Sequence, residues 1–170
     1  MSDFFIHLMR HGAPQTPGLL LGRTDAPTTP AGIAACIAQV QDLSFCSIIA
    51  SDLQRSAQPA AAIGAPRGLD PTIDRRWREV DFGAWDGLAP SEVESSALGA
   101  FWDDPDANPP PGGERWSALV ARVEAALASI PPEDTLVVTH GGAIRAALAS
   151  LFGFGQRQLW AFDLPYAAVI

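Results

Sequence analysis

Arg10-His11-Gly12 closes one apolar run, Phe5-Ile6-His7-Leu8-Met9, and Thr139-His140-Gly141-Gly142 closes another, Leu136-Val137-Val138. Each segment reads as a buried strand that stops at an imidazole followed by glycine. In open α/β sheets ligands gather beyond the carboxyl ends of the strands. Two histidines remote in sequence could therefore share one pocket, and the chain has only three histidines.

Arg55 and Glu79 join them. Arg55 lies in Ser51-Asp52-Leu53-Gln54-Arg55, in the first turn of a helix that follows a short strand. Glu79 lies in the loop Trp77-Arg78-Glu79-Val80-Asp81-Phe82-Gly83-Ala84-Trp85-Asp86-Gly87. Two guanidinium forks and an imidazole suit the oxygens of a phosphate monoester, which carries about -1.5 to -2 charges at neutral pH. Gly12, Gly141 and Gly142 allow close backbone approach, and the helix after Gly142 offers amides to an anion. Displacement at phosphorus needs an in-line nucleophile and a proton donor for the leaving oxygen. His11 can attack only while neutral, and flanking arginines disfavour its protonated form. Glu79 is the candidate donor, and the role requires it to be partly desolvated.

The elements that must position these residues alternate. A strand is expected over residues 4 to 10. A loop rich in Pro, Gly and Thr leads to a helix over 31 to 43 with an apolar stripe at Ile33, Cys36, Ile37, Val40 and Leu43. A strand over 47 to 51 follows, then a helix capped by Asp52 and reaching Ile63. Pro59 inside it leaves the Arg55 carbonyl without its helical partner and predicts a kink or a later start. Thr72-Ile73 is a minor strand, and 75 to 89 is a polar loop. Ser91 and Glu94 have capping-box spacing. A helix from Glu114 to Ser129, a strand over 135 to 139 and a helix over 142 to 152 follow. Residues 159 to 169 read as a strand or two. This order predicts a three-layer α/β/α fold with a mostly parallel central sheet in a single domain over 1–170.

The bulk numbers exclude several classes. The chain has 170 residues, 48% of them hydrophobic, and a net charge of -8. All 11 basic residues are arginine. No basic stripe exists for nucleic acid and no apolar stretch is long enough for a membrane. Met1-Ser2-Asp3 lacks the basic start of a signal peptide, so the expected location is cytoplasmic. Cys36 and Cys46 have neither metal nor redox spacing and are read as reduced. The apolar stretch 159–170 leaves a homodimer open.

The residues also carry a resemblance. Leu8-Met9-Arg10-His11-Gly12, Ser51-Asp52-Leu53-Gln54-Arg55-Ser56-Ala57-Gln58, Arg78-Glu79-Val80-Asp81-Phe82-Gly83-Ala84-Trp85-Asp86-Gly87 and Val138-Thr139-His140-Gly141-Gly142 resemble, in order, the blocks of the histidine phosphatase superfamily, the phosphoglycerate-mutase-like fold. The resemblance implies that His11 becomes phosphorylated, that Arg10, Arg55 and His140 bind the phosphoryl group, and that Glu79 is the acid and then the base for water. It implies no metal and no cofactor. Gly22-Arg23-Thr24-Asp25, the Phe82 to Gly87 stretch and Pro111-Gly112-Gly113-Glu114 look most like α-ribazole phosphatase and related small phosphatases. Arg23 and Gly141 then join the substrate-binding candidates. Ala13-Pro14 departs from the Glu or Gln and Thr of many relatives.

The expectation is a phosphomonoesterase acting on a small phosphorylated metabolite through phospho-His11, with α-ribazole phosphate as the named candidate. The alternatives are mutase-type phosphoryl transfer, a non-catalytic phospholigand-binding domain, and a metal-dependent hydrolase, for which only two histidines and no third ligand can be named.

Overall fold

A computed structural model describes residues 3–170. Four strands, β1 (Ile6–Arg10), β2 (Ser47–Ala50), β3 (Thr72–Ile73) and β4 (Thr135–Thr139), form a sheet in the order β1-β4-β2-β3, and every pairing is parallel. Six α-helices accompany them: α1 (Pro30–Gln39), α2 (Gln54–Gly64), α3 (Ser95–Asp103), α4 (Trp116–Leu127), α5 (Gly141–Phe152) and α6 (Gln156–Trp160).

Strand side chains alternate between faces, so each buried strand feeds two cores. Leu8, Ile49 and Val137 pack with Leu119 and Val123 of α4 and Ala143 and Ile144 of α5. Met9, Ile48, Ala50, Leu136 and Val138 pack on the other side with Cys36, Val40, Ala60 and Ile63 of α1, α2 and their flanks. The result is the expected three-layer α/β/α arrangement. The central strand β4 is buried along its whole length, which is why it reads as an uninterrupted apolar run.

Local chemistry sets the ends of these elements. Thr29 caps α1: its hydroxyl accepts from the Gly32 amide at 3.0 Å, with Pro30 behind it at the first helical position. Gly12 and Gly32 touch backbone to backbone; a Cβ on either would overlap the other segment. This contact seats the His11 loop on α1.

Four expectations need correction. The N-cap of α2 is Leu53, with no side-chain cap, because the Asp52 carboxylate turns to Arg78 (2.6 Å from Nε) and Arg75 (3.1 Å from Nε). The Arg78 bond, foremost among these contacts, holds Asp52 below the usual carboxylate range. Ser91 and Glu94 do not form a capping box; Glu94 itself caps α3, accepting from Ser96 and Ala97 amides. The helix expected from Glu114 begins at Trp116, since Glu114 is drawn into an ion pair with Arg122. Within 159 to 169 the chain first completes the short helix α6 rather than a strand. Residues 167–170 then run antiparallel along β1, through paired bonds between Leu8 and Ile170 and a bridge from Met9 to Val169.

Pro59 sits inside α2, and the orphaned carbonyl is answered from outside the helix. The Thr28 hydroxyl donates to the Arg55 carbonyl at 2.8 Å, both groups being buried. Proline is thus tolerated because a neighbouring loop supplies the missing donor. Thr28→Val is expected to destabilise the protein by about 1–3 kcal/mol, the cost of a buried unsatisfied carbonyl. Adding Pro59→Ala, which restores an amide four residues after Arg55, is expected to recover most of that loss. Urea unfolding of the two variants checks this; additive losses would contradict it.

Candidate active site

The sheet register brings the two histidines together. β1 and β4 run side by side with Arg10 opposite Thr139. The next residue on each strand is a histidine, and the His11 amide donates to the Thr139 carbonyl at 2.8 Å. The imidazole rings lie 5.1 Å apart, edge to face. His11 is 5% exposed and His140 is fully buried.

The protonation pattern of His11 follows from its partner. Its Nδ1 lies 2.7 Å from the Gly12 carbonyl, which can only accept, so Nδ1 carries the hydrogen and Nε2 keeps its lone pair. Burial lowers the imidazole from 6.5 to about 3; the Gly12 bond opposes this, and the Arg55 and Arg10 charges reinforce it. His11 is therefore a neutral ring with a free ring nitrogen. His140 lies well below 6.5 for the same main reason, burial, with Arg55 and the other nearby cations adding to it. Its Nε2 stands 2.7 Å from the Ser51 hydroxyl and 3.2 Å from that of Ser56. A neutral His140 that accepts there presents Nδ1–H as a donor. Ser51 and Ser56 were not singled out from the sequence, although both fall in the block that contains Arg55. The available signal was a serine at the carboxyl end of a buried strand.

Three donors in this cluster are buried and have no hydrogen-bond acceptor: Arg10 Nε, Arg55 Nε and His140 Nδ1. Each such group costs about 1–3 kcal/mol, more when charged, so a cluster of them marks a site built to receive an acceptor. Arg55 is fully buried. Its two Nη atoms hold the carbonyls of Leu21, Gly22 and Thr24 at 2.7 to 3.0 Å, so it braces one loop while its Nε stays unpaired. Arg10 donates from Nη1 to the Leu164 carbonyl at 2.5 Å. Arg23 stands apart: it pairs with Asp81 at 3.2 Å and does not line the cavity described below. Asp86 collects the amides of Gly22, Arg23 and Thr24, so Gly22 to Thr24 form a loop pinned on a carboxylate.

Glu79 approaches from the other side. Its Oε2 accepts from the Gly142 amide at 3.1 Å and its Oε1 from its neighbour's amide, Val80, at 2.9 Å. The Gly142 amide at the start of α5 is thus taken by Glu79. Gly142 is required there because a Cβ would overlap the Glu79 carboxylate. The Glu79 loop is held by Arg122, which sequence reasoning missed. All five of its N–H groups are used: two on Glu114, and three on the carbonyls of Arg76, Arg78 and Glu79. The only sequence signal was an arginine within the otherwise apolar stripe of α4.

A cavity of about 210 Å³ opens over these groups. Arg10, His11, Glu79 and Gly141 line its polar end, together with Arg145, also missed. Arg145 is tied to the carbonyls of Leu159, Gly141 and Phe162 and lies over the Trp160 ring. The rest of the wall is apolar and aromatic, with Trp102, Trp116 and Trp160 prominent. Trp85 is buried against Phe101. Arg55 and His140 are fully buried and do not line the cavity. Among the described residues no three His, Cys, Asp or Glu side chains converge as metal ligands would, and no helix is long and apolar enough to cross a membrane.

The family model for the histidine phosphatase superfamily (branch 1) matches residues 6–170. The chain is 31% identical over 170 residues to the glucosyl-3-phosphoglycerate phosphatase of Mycolicibacterium vanbaalenii, covering 86% of this chain and 73% of that one. The structure of a mycobacterial glucosyl-3-phosphoglycerate phosphatase superposes with a TM-score of 0.84 at 26% identity, covering 96% of this chain and 87% of that one. The α-ribazole phosphatase of Shigella flexneri superposes with a TM-score of 0.82 at 26% identity and the same coverage.

The depressed histidines make stability depend on pH. Unfolded imidazoles take up protons near 6.5, whereas folded His11 does so only near 3. The unfolded state therefore binds more protons in between, and acidification favours it. The stability due to the neutral rings is complete above pH 6.5 and is lost as pH falls toward 3. The thermal midpoint is expected to fall between pH 6.5 and 5 in the wild-type protein. A variant carrying both His11→Asn and His140→Asn is expected to flatten that slope; an unchanged slope would contradict the assignment.

Proposed function

The chain belongs to the histidine phosphatase superfamily, and from that premise we propose that it hydrolyses a small phosphomonoester through phospho-His11. The observation that carries this is the set of three acceptorless buried donors, Arg10 Nε, Arg55 Nε and His140 Nδ1, around a neutral imidazole. Such a set suits a dianionic group with several oxygens, and pre-aimed donors need no rearrangement as charge develops.

The His11 Nε2 lone pair attacks phosphorus as the ester P–O bond breaks. The leaving oxygen keeps the electron pair of the broken P–O bond and takes a proton from Glu79, and the alcohol departs. Glu79, now a carboxylate, takes a proton from water as the water oxygen attacks the phosphohistidine. The P–N bond breaks, releasing inorganic phosphate and neutral His11. The Gly12 carbonyl on Nδ1–H supports the positive charge that the ring acquires in between. Arg10, Arg55 and His140 hold the phosphoryl oxygens through the donors they keep unpaired, Arg10 Nε, Arg55 Nε and His140 Nδ1.

For the substrate itself, α-ribazole phosphate is the reading we favour. Its flat benzimidazole matches a wall carrying Trp102, Trp116 and Trp160, where aromatic faces contribute about 0.5–1.5 kcal/mol each beyond area burial. The similarity to α-ribazole phosphatase supports the same reading.

Two experiments test the proposal. Labelled substrate followed by a rapid quench is expected to leave an adduct on the protein that survives alkali and is lost in acid; an equal adduct on His11→Ala would remove the assigned nucleophile. Glu79→Gln is expected to lower turnover by about 10²- to 10⁴-fold on an alkyl ester such as α-ribazole phosphate. With p-nitrophenyl phosphate, whose leaving group needs no proton, the loss is expected to be much smaller. Equal losses on both would end the acid role of Glu79.

A further inference from the structure

Tyr166 belongs to the terminal strap 164–170 and was not among the sequence candidates. Its ring covers the guanidinium of Arg10, 4.3 Å from ring centroid to Cζ, and lies 5.5 Å from the His11 ring. It also lines the active-site cavity. The strap is bonded to the strand end that carries the nucleophile: the Arg10 amide donates to the Ala168 carbonyl at 2.9 Å, and the Ala167 amide to the His11 carbonyl at 3.0 Å. Ala167 has φ +64°, the only non-glycine residue with a positive φ among those described. An L-residue avoids that region unless its surroundings impose it. The strained turn presents Tyr166 to Arg10.

Burial does not explain the ring. Tyr166 is 37% exposed, so it gains little as core filler. What the position supplies is geometric. A guanidinium donates hydrogen bonds only in its own plane, and an aromatic ring attracts it through its face. With the ring on one face and the Leu164 carbonyl taking one Nη1–H, the plane of Arg10 is determined while Nε–H stays without an acceptor.

We propose that Tyr166 is a positioning residue for phosphoryl transfer: its ring face sets the plane of the Arg10 guanidinium so that the in-plane N–H groups meet the phosphoryl oxygens in the transition state. The inference rests on the phosphomonoesterase reading, in which Arg10 binds the phosphoryl group. The ring acts through Arg10, and the phenol hydroxyl has no part in it.

The test compares Tyr166→Leu and Tyr166→Phe, using p-nitrophenyl phosphate for turnover and orthovanadate as the transition-state-like probe. Tyr166→Leu is expected to lower kcat by about two- to thirty-fold, with little change in KM, and to weaken vanadate inhibition by a similar factor. Tyr166→Phe keeps the ring face and is expected to restore most of both. In an Arg10→Met background, Tyr166→Leu is expected to weaken vanadate binding no further. The proposal is overturned if Tyr166→Leu behaves as wild type, if Tyr166→Phe is as impaired as Tyr166→Leu, or if the loss persists without Arg10. A wild-type protein that neither hydrolyses the ester nor binds vanadate would sink the phosphomonoesterase reading first, and this inference with it.

Discussion

A dry imidazole beside fixed cations is the constraint on which the rest of this structure depends. Arginine does not give up its proton in a protein, so when two histidines are buried beside Arg10 and Arg55, the histidines lose theirs. Removal from water is the larger cause for both rings, and the guanidiniums add to it. The outcome is an uncharged His11 whose tautomer the Gly12 carbonyl selects. An uncharged imidazole beside fixed cations is the electrostatic arrangement that displacement at a dianionic phosphorus calls for.

Such an arrangement is costly to build, and arginine also builds its supports. Arg122 uses every donor it has, three on the carbonyls of Arg76, Arg78 and Glu79 and two on Glu114. Arg55 uses its outer nitrogens on the carbonyls of loop 21–24. Arg145 gathers carbonyls from the start of α5 and from the segment around α6. A planar fork can bridge several carbonyls of irregular backbone at once, which an ammonium on a flexible stem does less specifically. Glycine does the complementary work where atoms must come close: at Gly12 against Gly32, and at Gly142 against the Glu79 carboxylate.

The two ends of the cavity answer different chemical demands. The polar end concentrates charge and donors that a phosphoryl group can use. The opposite wall, with its three tryptophans, carries almost no polar information and recognises a partner by area and flatness. Arg145 sits at the boundary, with its face on Trp160 and its donors on backbone. On the proposed reading, discrimination between phosphorylated metabolites falls to the wall that Trp102 of α3, Trp116 of α4 and Trp160 of α6 provide.

How much was legible follows from the range of each interaction. The buried strands, the alternation of elements and the meeting of His11 with His140 could be read because apolar runs and strand-end glycines are local signals and parallel sheets have few topologies. Helix starts were misread at Asp52 and Glu114 for one reason: each carboxylate had a stronger partner far along the chain, Arg78 in one case and Arg122 in the other. The donor that Pro59 removes from the Arg55 carbonyl is supplied by the Thr28 hydroxyl, again a contact that no local pattern announces. The sequence alone determined which chemical groups the protein has and that they end on one sheet edge, since strand periodicity and glycine placement are written in neighbouring residues. Only the tertiary structure decided which guanidiniums face the site and which brace it, that Ser51 and Ser56 set the orientation of His140, and that Tyr166 roofs Arg10. Those outcomes depend on which distant group wins each hydrogen-bond donor once water has been excluded.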